Sequence, residues 1–334
     1  MKINPLLVSL CLSAGLASMT VNASEQKTIM EIQGTGSNSP FVDIGNKEYQ
    51  SKDTFQVTGV ITHIQAKGLG RDIPSGLYIQ DAKGDNNPAT SDGLFVSFDS
   101  KALAALPLQL GQTITATGKI KEAYNWTQLV AQDVSISGDT IKIIPAMPVI
   151  LLETDNSLKD TLERYEGMRV TLASNNNLIV SRNFGYDRNV RRNNLALSVG
   201  SINMQPNQQF APSSQDSKQQ ASQIKNNELI IESFNKAPAG KIPWYPSFAQ
   251  STNGVDYDYI RIGDSVAELT GVVGYSHNNF RLFVQNKATK DNFKHNNPRT
   301  AAPTLKDGDI KVATFNVLNY FNSPFGGDKN PLGQ

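Results

Sequence analysis

Four arginines and two aromatic residues fall within the segment Ser181–Arg192, SRNFGYDRNVRR. The guanidinium groups of Arg182, Arg188, Arg191 and Arg192 can clamp phosphates, and Phe184 and Tyr186 between them offer flat faces on which bases stack; single-strand binders use this combination. The same residues also fit a solvated loop. A second cluster, Asp81–Gly93 (DAKGDNNPATSDG), gathers Asp81, Asp85, Asn86, Asn87 and Asp92. Clustered side-chain oxygens can hold Ca²⁺, which tolerates irregular cages. Asn, Asp, Gly and Pro are also ordinary turn formers, and the spacing lacks the bidentate Glu and the Gly placement of a helix-loop-helix calcium site. Trp126 with Tyr124, and Trp244 with Tyr245, are either stacking platforms or fillers of a barrel end and a proline loop. His63, His277 and His295 are dispersed, have no metal-ligand spacing, and read as surface or hairpin residues.

Such groups need a scaffold, and the pattern around them is all-β. Runs rich in β-branched and aromatic residues at Thr54–Ile64, Gly76–Asp81, Gly93–Phe98, Thr113–Ile120 and Gln128–Ile136 alternate with Gly, Pro, Asn and Asp. Short strands at this density predict a small barrel of the oligonucleotide/oligosaccharide-binding (OB) kind. Helix signals are few: Ser157 with Asp160 caps a short helix through Arg164, ended by Gly167. A weak repeat, GQTITATGKIKEAYNWTQLV at 111–130 against GDSVAELTGVVGYSHNNFRLFV at 263–284, predicts two related modules. Each copy carries a Thr-Gly pair (117–118 and 270–271) that allows a bend. The expected layout is a first OB-like module over 24–150 and a second β module over 151–297, whose polar insertion at 205–227 reads as a mobile loop. A linker follows at 298–309.

The composition of the 334 residues, 39% hydrophobic and 18% charged, is that of globular domains and excludes a disordered chain. A formal net charge of +1 excludes a uniformly basic coat for DNA. Residues 25–150 carry 10 Lys+Arg against 13 Asp+Glu, while 151–300 carry 17 against 14, so polyanion contact is expected in the second half. Lys2, the apolar run Leu6–Ala17 and the small residues before Ser24 make a secretory signal peptide over 1–23, cleaved after Ala23. Cys11 is the only cysteine and lies inside that segment, so the exported chain is expected to use neither disulfides nor thiol chemistry. No other segment is apolar and long enough for a membrane helix. The predicted destination is the periplasm, the cell surface or the medium.

After the prolines of 296–309 comes Ile310–Phe321, almost continuously apolar. A strand apolar on both faces belongs in a sheet covered on both sides, as in α/β proteins, and the turn formers of 322–334 supply no such cover. The expectation is that residues 310–334 open a further, truncated domain. At this point a resemblance becomes specific. The motifs MEIQGTGSNSP (30–40), VTGVITHI (57–64), GLYIQDAKGDNNPATSDGLFV (76–96), LERYEGMRVTL (162–172) and KVATFNVLNYF (311–321) resemble, in order, bacterial extracellular nucleases with N-terminal OB-like modules and a C-terminal endonuclease/exonuclease/phosphatase domain.

The resemblance implies a mainly β chain of two OB-like barrel modules, followed by the first strand of that α/β domain. It implies phosphodiester hydrolysis of extracellular DNA, with RNA left open, using Mg²⁺ or a similar divalent cation. Asn316 matches the family's strand-end Asn, whose amide oxygen helps hold the metal while its NH₂ meets a phosphate. One Asn cannot hydrolyse a phosphodiester; a carboxylate-held metal and a His/Asp pair are required, and in the family they come from later strands. Asp309 and Asp328 do not match the family's metal positions. No catalytic residue is therefore expected within this fragment, which by itself is expected to be inactive. The alternative is a non-catalytic OB-like protein of the envelope that holds nucleic acid or polysaccharide; an envelope structural protein is a third reading.

Overall fold

The computed structural model describes residues 24–45, 47–69, 73–138, 140–187, 192–232, 260–286 and 288–296, and the single residues 308, 310 and 312. The chain divides into two compact units, 1–297 and 298–334. In the first unit, β1 (Glu25–Gln26) runs parallel to β2 (Phe55–Gln65), which opens the first sheet. It continues through β3 (Gly76–Gln80), β4 (Gly93–Ser97), β5 (Thr113–Glu122) and β6 (Thr127–Gly138), within a residue or two of the expected boundaries. Hydrogen bonding runs β2-β3-β4-β6-β5 and returns from β5 to β2, closing a five-stranded barrel in which only β4 and β6 are parallel. This is the OB arrangement.

Strand alternation sorts the side chains of that barrel. Leu77, Ile79, Leu94 and Val96 point inward with Ile114 and Leu129, whereas Tyr78 and Phe95, on the opposite faces of the same strands, belong to a different core. Helix α1 (Ile29–Gln33) packs Ile29 and Ile32 into the barrel's core. Its start is a capping box: Thr28 Oγ1 accepts from Glu31 N at 3.2 Å, and Glu31 Oε2 accepts from Thr28 N at 2.8 Å. Helix α2 (Ser100–Ala105), capped by Asp99, links β4 to β5. Neither helix was expected, because both are too short to show a hydrophobic period.

The second sheet begins with β7 (Met147–Pro148), then α3 (Leu158–Glu163) and β8 (Arg169–Thr171). It continues with β9 (Leu178–Asp187), β10 (Arg192–Val199), α4 (Gln215–Asn226), β11 (Leu229–Glu232), β12 (Ser265–Val266), β13 (Thr270–Ser276), β14 (Asn279–Val284) and β15 (Phe293–Lys294). The order is β15-β12-β9-β10-β11-β14-β13-β8-β7. Its middle, β9-β10-β11-β14-β13-β8 with β11 and β14 parallel, repeats the order of the first barrel. The place of β2 is shared by β8 and β9, separated by a 3-10 turn at Ser174–Asn176 and a left-handed Asn177. That interruption leaves the sheet curled but open.

The sequence repeat maps onto equivalent hairpins. The β5–β6 hairpin turns through Tyr124 and Asn125, and the β13–β14 hairpin through His277 and Asn278, each pair with φ between 52° and 64°. A Cβ at Gly118 or Gly271 would run into the backbone carbonyl of the partner strand, at Val130 and Phe283 respectively, so both Thr-Gly pairs mark a close strand approach. Helix α3 starts at the expected cap, Ser157 Oγ accepting from Asp160 N at 3.3 Å. The insertion at 205–227 differs from the expected loop: it contains a 3-10 turn at Pro206–Gln208 and the helix α4. Ser214 caps α4, Asp216 sits in its first turn and Lys225 in its last, which together favour a helix of Gln, Lys and Ala despite its poverty in apolar residues.

The outward face of β3 and β4 packs against the second sheet. Tyr78, Phe95 and Trp126 share one core with Val272, Phe283, Met168 and Tyr165. Phe95 lies 4.8 Å from Tyr78 and 4.7 Å from Trp126, ring centre to ring centre. A Cβ at Gly93 would collide with the backbone of Gly167 and Met168, so the two chain segments touch main chain to main chain. Ser91 Oγ donates to Glu166 O at 2.6 Å, Arg169 N to Gln80 Oε1 at 3.0 Å, and Gln285 Nε2 to Thr62 O at 3.0 Å. The expected modules 24–150 and 151–297 thus share a continuous buried seam within one compact unit. In the second unit, Ile310 and Val312 are 83% and 84% exposed and lie in no strand. The rest of the apolar run, and the signal segment 1–23, lie outside the described residues.

Candidate nucleic-acid interface

Strand β9 is buried at its start, Leu178 and Val180, and emerges into solvent from Arg182 onward. Its pairing with β10 slips between Asn194 and Ala196, where extra residues of β9 bulge out. Phe184, within the irregular stretch, is 55% exposed, and Tyr186, just past it, 47%. They are two positions apart along the strand, about 7 Å between Cα atoms. The Arg182 Nη2 donates to Asn194 Oδ1 at 3.0 Å, which fixes its guanidinium beside the bulge while leaving the residue exposed. The site therefore offers two aromatic faces and a tethered cation at the end of one hairpin.

Arg192 does not join them: instead of facing a phosphate it is buried. It is 1% exposed, with Nη1 3.1 Å from Glu232 Oε2, whose residue is fully buried. The Glu232 carboxylate also pairs with Arg281 Nη1 and lies 3.4 Å from Asn194 Nδ2, and the Arg192 guanidinium stands 5.7 Å from the Phe283 ring centre. Sequence spacing could not show this, because Glu232 lies 40 positions away. Burial holds the Arg192 pKa below its ordinary value, partly offset by Glu232. Arg188 and Arg191 lie outside the described residues, as do Asn316, Trp244 and Tyr245.

In the acidic loop, Asp81 Oδ1 accepts from Lys83 N at 2.8 Å and Gly84 N at 2.9 Å, and Asp85 accepts from Asn87 N at 2.8 Å and Thr90 Oγ1 at 3.0 Å. These are turn-forming bonds to the loop's own backbone and side chains. Burial raises the Asp92 pKa, as do the neighbouring charges of Asp85 and Asp81. Among the described residues no group of three His, Cys, Asp or Glu side chains could hold a metal ion, so the Ca²⁺ reading of Asp81, Asp85 and Asp92 finds no cage here.

Trp126 is buried in the seam, and Tyr124 stands exposed at its hairpin tip. His63 is partly buried, not a surface residue, and burial pushes its pKa down to about 4. His277 sits at the turn with Nδ1 2.8 Å from Ser276 Oγ, and His295 Nδ1 is 2.9 Å from Asp264 Oδ1.

Sequence reasoning missed a buried carboxylate pair at the seam. Glu166 Oε1 accepts from Thr127 N at 3.1 Å, and Glu122 Oε1 from Thr127 Oγ1 at 2.8 Å and Ser39 N at 2.7 Å. Among the described residues the second oxygen of each carboxyl has no hydrogen-bond partner. Burial raises Glu166 well above the ordinary range, and the charges of Glu163 and Glu122 raise it further; Glu163 is lifted to about 7, chiefly by burial. The only sequence signal was carboxylates inside otherwise apolar motifs, EAYNW and LERYEG.

No protein-family model matches the chain, and no curated protein matches it. Among solved structures the chain is similar to fission yeast Pot1, determined with ssDNA, at a TM-score of 0.25 and 11% identity over 73% of this chain and 82% of that one. At that TM-score the likeness carries no argument about what this chain binds.

Proposed function

We propose that this chain is the non-catalytic, N-terminal part of a secreted, metal-dependent nuclease, and that the β9–β10 hairpin of its second module contacts nucleic acid. One observation supports the contact: Phe184 and Tyr186, both exposed at the bulged end of β9 beside the tethered Arg182. Base stacking on such rings is sequence-tolerant because every base has a π-face, and the arginine adds phosphate attraction that salt screens. The nuclease assignment rests on the five motifs in their order. In this reading export by residues 1–23 delivers the chain outside the cell, and hydrolysis of extracellular DNA, with RNA left open, belongs to the domain that 310–334 begins. There Asn316 would contribute an amide oxygen to Mg²⁺ or a similar divalent ion, which supplies charge stabilisation at the phosphorus.

Fluorescence anisotropy of a labelled single-stranded oligothymidylate tests the interface. Stacking contributes about 1–3 kcal/mol per base, so the double substitution Phe184→Ala with Tyr186→Ala is expected to weaken binding by at least about tenfold, and binding to fade as salt rises. Equal affinity for the parent chain and the double variant would overturn the assignment.

A further inference from the structure

The helix α4 buries none of its residues completely, an unusual condition for a twelve-residue helix in a folded unit. What it faces is a cleft of about 430 Å³, bounded on the other side by the loop that follows β10. That volume is in the range of small-ligand sites. Gln220, Gln223, Ile224 and Asn227 line it from the helix, at the spacing of one helical face. Asn203 and Gln209 line it from the loop, so five side-chain amides converge on one space.

Their hydrogen bonding is incomplete. Asn227 is held by the backbone of Val199, accepting from its N at 3.3 Å and donating to its O at 3.4 Å. By contrast Asn203 Nδ2 is buried without a partner, and the side-chain amides of Gln209, Gln220 and Gln223 bond to no described residue. Asn203 and Gln220 are partly buried, and their donors favour an occupant that supplies acceptors, while Gln209 and Gln223 stand exposed.

The lining also restricts that occupant's chemistry. It holds no Asp, Glu, Lys or Arg, and the lysines of α4, Lys218 and Lys225, are absent from it, so a phosphate or carboxylate would find no countercharge. It holds no aromatic ring, so a nucleobase would find hydrogen-bonding groups but no stacking face. Amide side chains both donate and accept, which matches vicinal hydroxyls that do the same, while Ile202, Met204 and Ile224 supply apolar surface for ring C–H groups.

We infer that the cleft between α4 and the loop after β10 is a binding site for a neutral oligosaccharide segment, distinct from the nucleic-acid hairpin. The site would let the chain hold neutral surface glycan independently of DNA.

Isothermal calorimetry and saturation-transfer NMR on the full exported chain, with neutral trisaccharides built from glucose, galactose and N-acetylglucosamine, test it. At least one trisaccharide is expected to bind with a dissociation constant below about 10 mM, and Gln220→Ala with Gln223→Ala to weaken that binding by at least about tenfold. Both substitutions lie on a helix face with no complete burial, so circular dichroism should stay unchanged. The milder Gln223→Glu keeps the shape and places an uncompensated charge in the cleft, and it is expected to weaken binding as well. No binding by any of the three, or binding that both variants leave intact, would overturn the inference.

Discussion

The chain carries aromatic residues on strands of both sheets, and the two sets have opposite fates. Tyr78 and Phe95, on β3 and β4 of the closed barrel, occupy the strands with which OB barrels usually meet their ligands, yet both are fully buried against the second sheet. Phe184 and Tyr186, on the far half of β9, remain about half exposed. Residue type is alike, but β9 takes the place of β2, next to the β3–β4 pair, and what lies across from the rings differs. In the first barrel the OB face has become an internal joint, whereas two rings on β9 of the second module stay open to solvent.

The strongest way to break this contrast is to empty the joint. Trp126 is fully buried beside Phe95, and Trp126→Ala is expected to cost about 3–5 kcal/mol, measured as a shift in the urea midpoint at constant slope. A loss under about 1 kcal/mol would mean that the seam is loosely packed and that the first barrel's face can open.

A milder perturbation is pH. Glu163 and Glu166 hold their protons above the ordinary carboxyl value of 4.5 in the folded chain, mainly through burial. Such groups bind more protons folded than unfolded, so their contribution is fully present below the unfolded value. It is lost as pH rises through the folded values, about 7 for Glu163 and well above the ordinary carboxyl value for Glu166. Thermal melts taken from about pH 5 to about pH 9 should therefore show Tm falling across neutrality, and Glu166→Gln should flatten the fall. A Tm that rises over that interval would contradict the raised proton affinity of Glu163 and Glu166.

The smallest effect sharpens the other side of the contrast. Phe184→Ala and Tyr186→Ala should change stability by no more than about 0.5 kcal/mol each, since exposed rings pack little, even though the same substitutions weaken oligonucleotide binding. A larger loss in a denaturant titration would make these rings structural.

Much of the first barrel was legible from period and punctuation. The five runs from Thr54 to Ile136 alternate, end at turn formers, and became β2 to β6 almost residue for residue. The repeat was legible too, because close strand approach demands glycine at 118 and 271 and so leaves a mark in the letters. The helix α4 was hidden by its composition: Gln, Ser and Asn resemble a polar loop unless the cap at Ser214 is weighed. Arg192 was misplaced for a deeper reason. Its partner Glu232, and Arg281 that shares this carboxylate, come from strands 40 and 89 positions on, and only the pairing of β10, β11 and β14 brings them together. The seam is illegible on the same ground, since Tyr78 and Phe95 look like any outward-facing strand residues until the second sheet covers them.

The most direct measurement is ultraviolet cross-linking of residues 24–334 to a single-stranded oligonucleotide, with the modified residues mapped by mass spectrometry. Cross-links confined to Phe184 and Tyr186 are the predicted result. Cross-links at Tyr78, Phe95 or Trp126, with the hairpin unmodified, would show that the first barrel's face meets nucleic acid after all.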